Sequence, residues 1–160
     1  MITGAPANVL DFGAVGDGVT DDTAAINRAL YQIYCREVNP QIRRSIFFPA
    51  GVYLVTDTIL IPPYATLYGE GPDNSVIKLD STSAAAYLAR TADSLQQTGV
   101  NIATNGAIPP QSITVLGMSF ETTAANEGLL IENCTNSIGN TNSIDANRVE
   151  CSTDSVNMVL

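Results

Sequence analysis

The sequence predicts an all-β solenoid, a parallel β-helix closed at its N-terminal end by one amphipathic α-helix. Three observations carry that reading. Residues 8–30 run from a short apolar stretch through a glycine-punctuated turn into an acidic helix start. The strand-like runs that follow are short, and the turns between them lack the Asn-Gly or Asp-Gly pairs that close hairpins. Beyond residue 112, segments echo one another at steps of 28 and 29 residues, the mark of a coil wound in one direction.

Taken in order, residues 1–44 comprise a short leader, a strand and the capping helix. The run Val9-Leu10-Asp11-Phe12 reads as a strand and stops at the turn Gly13–Gly18. Ile26, Ala29, Leu30 and Ile33 then fill one helical face at i, i+3, i+4 and i+7. The helix is expected from Asp21 to Glu37, roughly 25 Å at 1.5 Å per residue. Asp21 or Thr20 can cap its free amides, and Asp17, Asp21 and Asp22 suit the positive end of its dipole. Asn39-Pro40 ends it, because a residue before proline avoids the α region.

Residues 45–160 are the first coils. Strand runs at Ser45–Phe48, Val52–Val55, Thr58–Ile61, Thr66–Tyr68 and Val76–Leu79 are separated by Pro49-Ala50-Gly51, Pro62-Pro63 and Gly69-Glu70-Gly71-Pro72. An interruption at 81–111 follows, with Ser81–Arg90 read as a short helix or an excursion and the polar stretch from Thr98 as a loop on an exposed face. Strands resume at Ser112. Met118–Glu121 aligns with Asn147–Glu150, and Leu129–Ile131 with Asn157–Val159. The last run, Val156–Leu160, stops in mid-pattern. An uncovered last coil would expose unpaired backbone groups. The expectation is therefore a longer polypeptide, truncated here at its C-terminus, or a covering chain.

Composition narrows the chemistry. Only 14% of the residues are charged and the net charge is −9. That balance argues against a nucleic-acid partner, which calls for a basic stripe. It also argues against a groove for a polyanionic sugar unless a cation bridges the two. The chain has no histidine, so Ser-His and Cys-His nucleophiles and the commonest metal ligand are excluded. Cys35, Cys134 and Cys151 make neither a C-x-x-C pair nor an even set, and are expected as buried thiols. No apolar run reaches membrane-spanning length, and the N-terminus lacks the basic and apolar regions of a signal peptide.

Residues 8–26, Asn-Val-Leu-Asp-Phe-Gly-Ala-Val-Gly-Asp-Gly-Val-Thr-Asp-Asp-Thr-Ala-Ala-Ile, resemble the opening signature of the pectate-lyase-like superfamily. Ile46–Tyr53 and Leu67–Gly71 resemble the two segments that usually follow it. The likeness is close over the first half of the chain and one of style over the second. It implies a right-handed parallel β-helix, used by polysaccharide lyases, by glycoside hydrolases such as polygalacturonases and rhamnogalacturonases, and by phage tailspikes. The acid and base aspartates and Gly-His-Gly segment of the polygalacturonase branch do not occur here.

Candidate residues follow from chemistry and spacing. Glu121 and Glu150, if stacked on adjacent coils about 4.8 Å apart, would approach the ~5 Å carboxyl separation of retaining glycosidases. Two solvated acids on neighbouring turns are the plainer reading of the same residues. Asp11, Asp17, Asp21 and Asp22 could offer oxygen ligands to Ca²⁺, although capping and turn formation account for the same residues. Gly13-x-x-Gly16-x-Gly18 invites a phosphate-loop reading, but the order is wrong, no lysine is present and two acids follow. Tyr53, Tyr64, Tyr68 and Tyr87 could present flat faces to sugar rings, with Tyr87 the first to test.

The expected function is the N-terminal β-helix module of a tailspike or tail-fibre protein, structural in these coils, binding or presenting to host surface or capsular polysaccharide. The resemblance implies a homotrimer within a virion assembled in the host cytoplasm, beside other tail proteins. Neither nucleic acid, membrane nor cofactor is called for. The alternative is a secreted polysaccharide lyase or glycoside hydrolase represented by its first coils.

Overall fold

A strand buried on one face needs side chains alternating in and out of the core, and the short apolar runs of this sequence meet that need. The computed structural model of the chain describes residues 5–35, 44–92, 113–122, 127–130, 143–145 and 149–151. Each coil contributes one strand to each of three parallel sheets. The first coil comprises β3 (Ile46–Phe48), β4 (Gly51–Val55) and β5 (Ile59–Ile61). The second comprises β6 (Thr66–Gly69), β7 (Ser75–Leu79) and β8 (Tyr87–Thr91). The third comprises β9 (Thr114–Leu116), β10 (Ser119–Thr122) and β11 (Glu127–Leu130), and a fourth begins with β12 (Ser143–Asp145) and β13 (Val149–Cys151). Above them lie β1 (Ala7–Asn8) and β2 (Asp17–Asp21). Sheet 1 runs β1-β3-β6-β9-β12, sheet 2 runs β2-β4-β7-β10-β13, and sheet 3 runs β5-β8-β11.

Register carries the core from coil to coil. Ile46, Leu67 and Val115 stack inward on sheet 1, and Tyr53, Ile77 and Phe120 on sheet 2. All six are buried. Phe48 meets Tyr53 edge to face at the inner corner, with ring centroids 5.4 Å apart. The 29-residue echo is a true rung: Phe120 pairs Val149 and Glu121 pairs Glu150. The second echo, at 157–159, lies outside the described residues. Corners between sheets 1 and 2 bring backbone onto backbone. A Cβ on Gly69 would lie 2.7 Å from the Gly117 carbonyl oxygen and 2.5 Å from Ser75 Cβ.

The cap departs from expectation in three places. Val9–Phe12 is a 3₁₀ turn rather than a strand, because Asn8 Oδ1 accepts the Leu10 amide and Gly13, at φ 98°, turns its own N–H onto the Leu10 carbonyl. Residues 17–21 are not the start of a helix but β2, the top strand of sheet 2. The α-helix α1 (Thr23–Leu30) therefore begins after Asp22 and passes into a π turn at Tyr31–Cys35. Its expected end at Asn39-Pro40 lies outside the described residues. The expected apolar face is right: Ile26, Ala29 and Leu30 are fully buried, and Ile33 packs against the core.

Farther along, Ser81–Arg90 forms no helix. Asp80 Oδ1 accepts the Thr82 amide, the Ser83 amide donates to the Asp80 carbonyl, and the chain turns into β8 on sheet 3. Leu88, Ala89 and Thr91 are buried there. Residues 93–111, the rest of the expected interruption, lie outside the described residues. Cys35 forms no disulfide and is half-buried rather than buried.

The helix closes sheet 3 through one side chain. Asn27 Nδ2 donates to the Thr58 carbonyl (3.2 Å), and its Oδ1 accepts the Leu60 amide (3.0 Å). These are the two bonds a further parallel strand would make to β5. Removing them leaves two part-buried backbone groups unmet, at about 1–3 kcal/mol each before water returns. Asn27→Ala should therefore lower unfolding stability in urea by about 2 kcal/mol, whereas Gln32→Ala, at an exposed neighbouring position, should leave it nearly unchanged.

Acid should loosen the same cap. The Thr20 and Val19 amides and the Thr20 hydroxyl hold the Asp17 carboxyl below its ordinary 3.8. The Thr82 hydroxyl and amide do the same for Asp80. Burial opposes the effect at Asp21, but hydrogen bonds from Thr23 and Thr56 outweigh it. A carboxyl depressed in the folded state stabilises above its unfolded value and loses that contribution as pH falls towards its folded value. The urea midpoint should drop as pH is lowered from about 5 towards 3, and Asp17→Asn should flatten that slope.

Candidate functional site

Asp17, Asp21 and Asp22 of the opening stretch each have partners within the chain. Asp17 Oδ1 accepts the Val19 (2.9 Å) and Thr20 (2.7 Å) amides, and Oδ2 accepts the Thr20 hydroxyl. Asp21 Oδ1 accepts the Thr23 amide, and Oδ2 accepts the Thr56 hydroxyl of the next coil (2.7 Å). Asp22 is 1% exposed, and its two oxygens accept the Val15 (2.8 Å) and Gly16 (3.0 Å) amides. Asp11 stands exposed on the 3₁₀ turn. Among the described residues, no three acidic or thiol side chains converge on one point. The cap geometry thus uses Asp17, Asp21 and Asp22 as internal acceptors and does not assemble them with Asp11 into a cation cage.

Asp22 also explains why the glycine loop is not a phosphate cradle. Paired backbone amides after a strand make an anion site, and here the anion is already supplied by the chain. Gly16 and Gly18 adopt φ of 71° and 76° in a loop whose Val15 and Gly16 amides face Asp22 and whose Val19 and Thr20 amides face Asp17. A Cβ on Gly51 would lie 2.7 Å from the Gly16 carbonyl oxygen, so the loop sits directly on the first coil.

The four tyrosines separate by environment. Tyr53 is buried, donates to the Pro49 carbonyl (2.8 Å), and is pushed up to about 12 by burial and by the negative charges of Asp22 and Glu70. Tyr68 is half-buried with its ring against Phe47, centroids 5.0 Å apart and planes 33° from parallel. Tyr64 occupies a left-handed conformation, φ 64°, after Pro62-Pro63. Tyr87 opens β8, half-buried, with the Arg90 guanidinium 5.9 Å from its ring centroid. Sequence reasoning passed over Tyr34, whose buried hydroxyl accepts the Thr66 amide (3.0 Å) and lies 2.7 Å from the Arg44 carbonyl. Burial pushes that hydroxyl well above its ordinary 10.0, so it stays protonated.

On the outer row of sheet 2, Leu54, Lys78, Glu121 and Glu150 occupy consecutive rungs. The register brings the Glu121 and Glu150 positions side by side, as their spacing implied, and sets Lys78 on the other side of Glu121. Lys78 is exposed and Glu121 partly so. The basic neighbour was hidden in the sequence, because 43 residues separate Lys78 from Glu121.

Comparison with known proteins places this architecture. The family described as rhamnogalacturonase A/epimerase, pectate lyase-like, matches residues 7–158. A glucan 1,3-beta-glucosidase of Cochliobolus carbonum is 45% identical over 58 residues, 36% of this chain and 7% of that protein. A pre-neck appendage protein of Bacillus phage B103 is 36% identical over 75 residues, 46% of this chain and 8% of that protein. The chain thus spans less than a tenth of either relative. Among solved structures, the A-module of the Azotobacter vinelandii mannuronan C-5 epimerase AlgE4 superposes with a TM-score of 0.61 at 24% identity, covering 91% of this chain and 38% of that one. The shared fold is the parallel β-helix, and with the family match over nearly its whole length the chain belongs to the rhamnogalacturonase A/epimerase, pectate lyase-like family.

Proposed function

We propose that this chain is the N-terminal β-helix module of a phage tail protein of the tailspike type, a rigid mount that binds or presents to host surface polysaccharide. The observation that carries it is how the first coils use their polar groups. Asp17, Asp21 and Asp22, three of the four aspartates of the acidic opening stretch, accept hydrogen bonds from the chain's own amides and hydroxyls. Such carboxylates build an end-cap rather than a site. Similarity to the appendage protein of phage B103 supports a virion setting. In that setting the chain assembles side by side as a homotrimer next to other tail proteins, and sugar chemistry belongs to coils beyond these.

A second reading rests on one observation, the Glu121–Glu150 rung with Lys78 beside it. In a polysaccharide lyase or glycoside hydrolase, those carboxylates would act as acid and nucleophile or base. Two experiments separate the readings. Light scattering on the purified chain should give a trimer, and a stable monomer across the concentration range would overturn the assembly. In gels cast with capsular polysaccharides, the chain should be retarded without generating reducing or unsaturated ends. New ends that disappear in Glu121→Gln would establish the enzymatic reading instead.

A further inference from the structure

The outward face of sheet 1 differs from those of the other two sheets. Phe47, Tyr68 and Leu116 point away from the core, since Ile46, Phe48, Leu67 and Val115 beside them are fully buried. The register makes the three one row: Phe47 pairs Tyr68, and Tyr68 pairs Leu116. The Phe47 and Tyr68 ring centroids are 5.0 Å apart, and Leu116 is 37% exposed. Beside this row runs a second, in which Thr66 pairs Thr114. Asn8 stands above Phe47, and the Asp145 position lies below Leu116. From Asn8 to Leu116 the outward positions of the described strands therefore hold no charged side chain. The nearest charges in sequence flank the strands instead. Arg44, whose Nε donates to the Ala5 carbonyl, precedes β3, and the exposed Glu70 follows β6. A surface that is apolar at its centre and polar at its rim has the composition of a protein contact.

The other two sheets carry charge on their outer rows. Sheet 2 has Lys78 and Glu121 on neighbouring rungs, and sheet 3 has Arg90, paired with Leu60. That difference decides how copies of this chain can meet. Around a threefold axis parallel to the solenoid, a residue close to the axis faces its own symmetry mates. On sheet 2, Lys78 would face Lys78, and on sheet 3, Arg90 would face Arg90. Like charges so placed oppose association. On sheet 1, Phe47, Tyr68 and Leu116 would meet their own copies through apolar contact, which favours it.

We infer that sheet 1 is the face through which copies of this chain associate, with Phe47, Tyr68 and Leu116 aligned along the threefold axis. The inference rests on the homotrimer proposed above and adds the face that forms it. Val52, on the outer side of sheet 2, is 36% exposed, which makes it a matched control for Leu116. Light scattering over a dilution series compares the unaltered chain with Leu116→Lys, Leu116→Glu and Val52→Lys. Circular dichroism checks that each variant keeps the β spectrum of the unaltered chain. Both Leu116 variants should raise the half-dissociation concentration at least about tenfold, because either charge meets its own sign at the axis. Val52→Lys should not. A trimer that both Leu116 variants leave intact would overturn the assigned face and leave the homotrimer standing, whereas a monomeric unaltered chain would overturn both. Opposite effects of lysine and glutamate would show that sheet 1 meets a different face, and would overturn the inference too. So would loss of retardation in capsular-polysaccharide gels with the trimer intact, which would assign the row to a glycan.

Discussion

The first rung of a parallel β-helix has no neighbour above it, and everything else in this structure depends on how that row of backbone groups is satisfied. Buried unpaired amides and carbonyls cost about 1–3 kcal/mol each, which a marginally stable domain cannot carry along three sheets. The solution differs by sheet. Sheet 3 receives a side-chain amide, Asn27, carried by α1. Sheet 2 receives β2, whose outer edge folds Asp17 back onto its own amides. Sheet 1 receives β1, with Tyr34 bridging the strand starts at Arg44 and Thr66. On sheet 3, the Asn27 amide thereby removes the β5 edge as a template for association.

Once the end is closed, the rung spacing governs the rest. Parallel strands about 4.8 Å apart leave no room for a Cβ where one corner lies over another. Gly16 over Gly51 and Gly69 against Gly117 follow from that limit, as does the buried Ser75, whose hydroxyl donates to the Phe48 carbonyl of the coil above. Core residues obey the same spacing, so Tyr53 is matched to Ile77 and Phe120 by register rather than by proximity in sequence.

Much of this was legible beforehand because it is local. The alternation at 46–48 and 51–55, the proline and glycine stops, and the helical face Ile26-Ala29-Leu30-Ile33 each depend on residues within one turn or strand. The errors arose where a distant coil decides. Thr20 and Asp21 read as helix entry beside Asp22 and Thr23, yet β4 captures residues 17–21 as a strand. Ser81–Arg90 read as a short helix or an excursion around an alanine run, yet β5 supplies a rung for its last residues. Nothing near Asn27 in the sequence signals its role, which only the position of Thr58 and Leu60 reveals.

The candidate site illustrates the same division in chemical terms. A carboxylate becomes reactive through burial against apolar surface, a like charge it cannot escape, or a hydrogen bond that favours its neutral form. In the cap, Asp22 is buried, and each of its oxygens accepts one backbone amide, which fixes the carboxylate within its own loop. On sheet 2, Glu121 is half-buried, with the exposed Lys78 as one neighbour and the Glu150 position as the other. Two carboxylates one rung apart in water repel by only about 1 kcal/mol, and a lysine at the same distance offsets a similar amount. Acidic pairs read from a solenoid's sequence therefore need a third condition before they imply catalysis, namely a loop or partner that takes the row out of water.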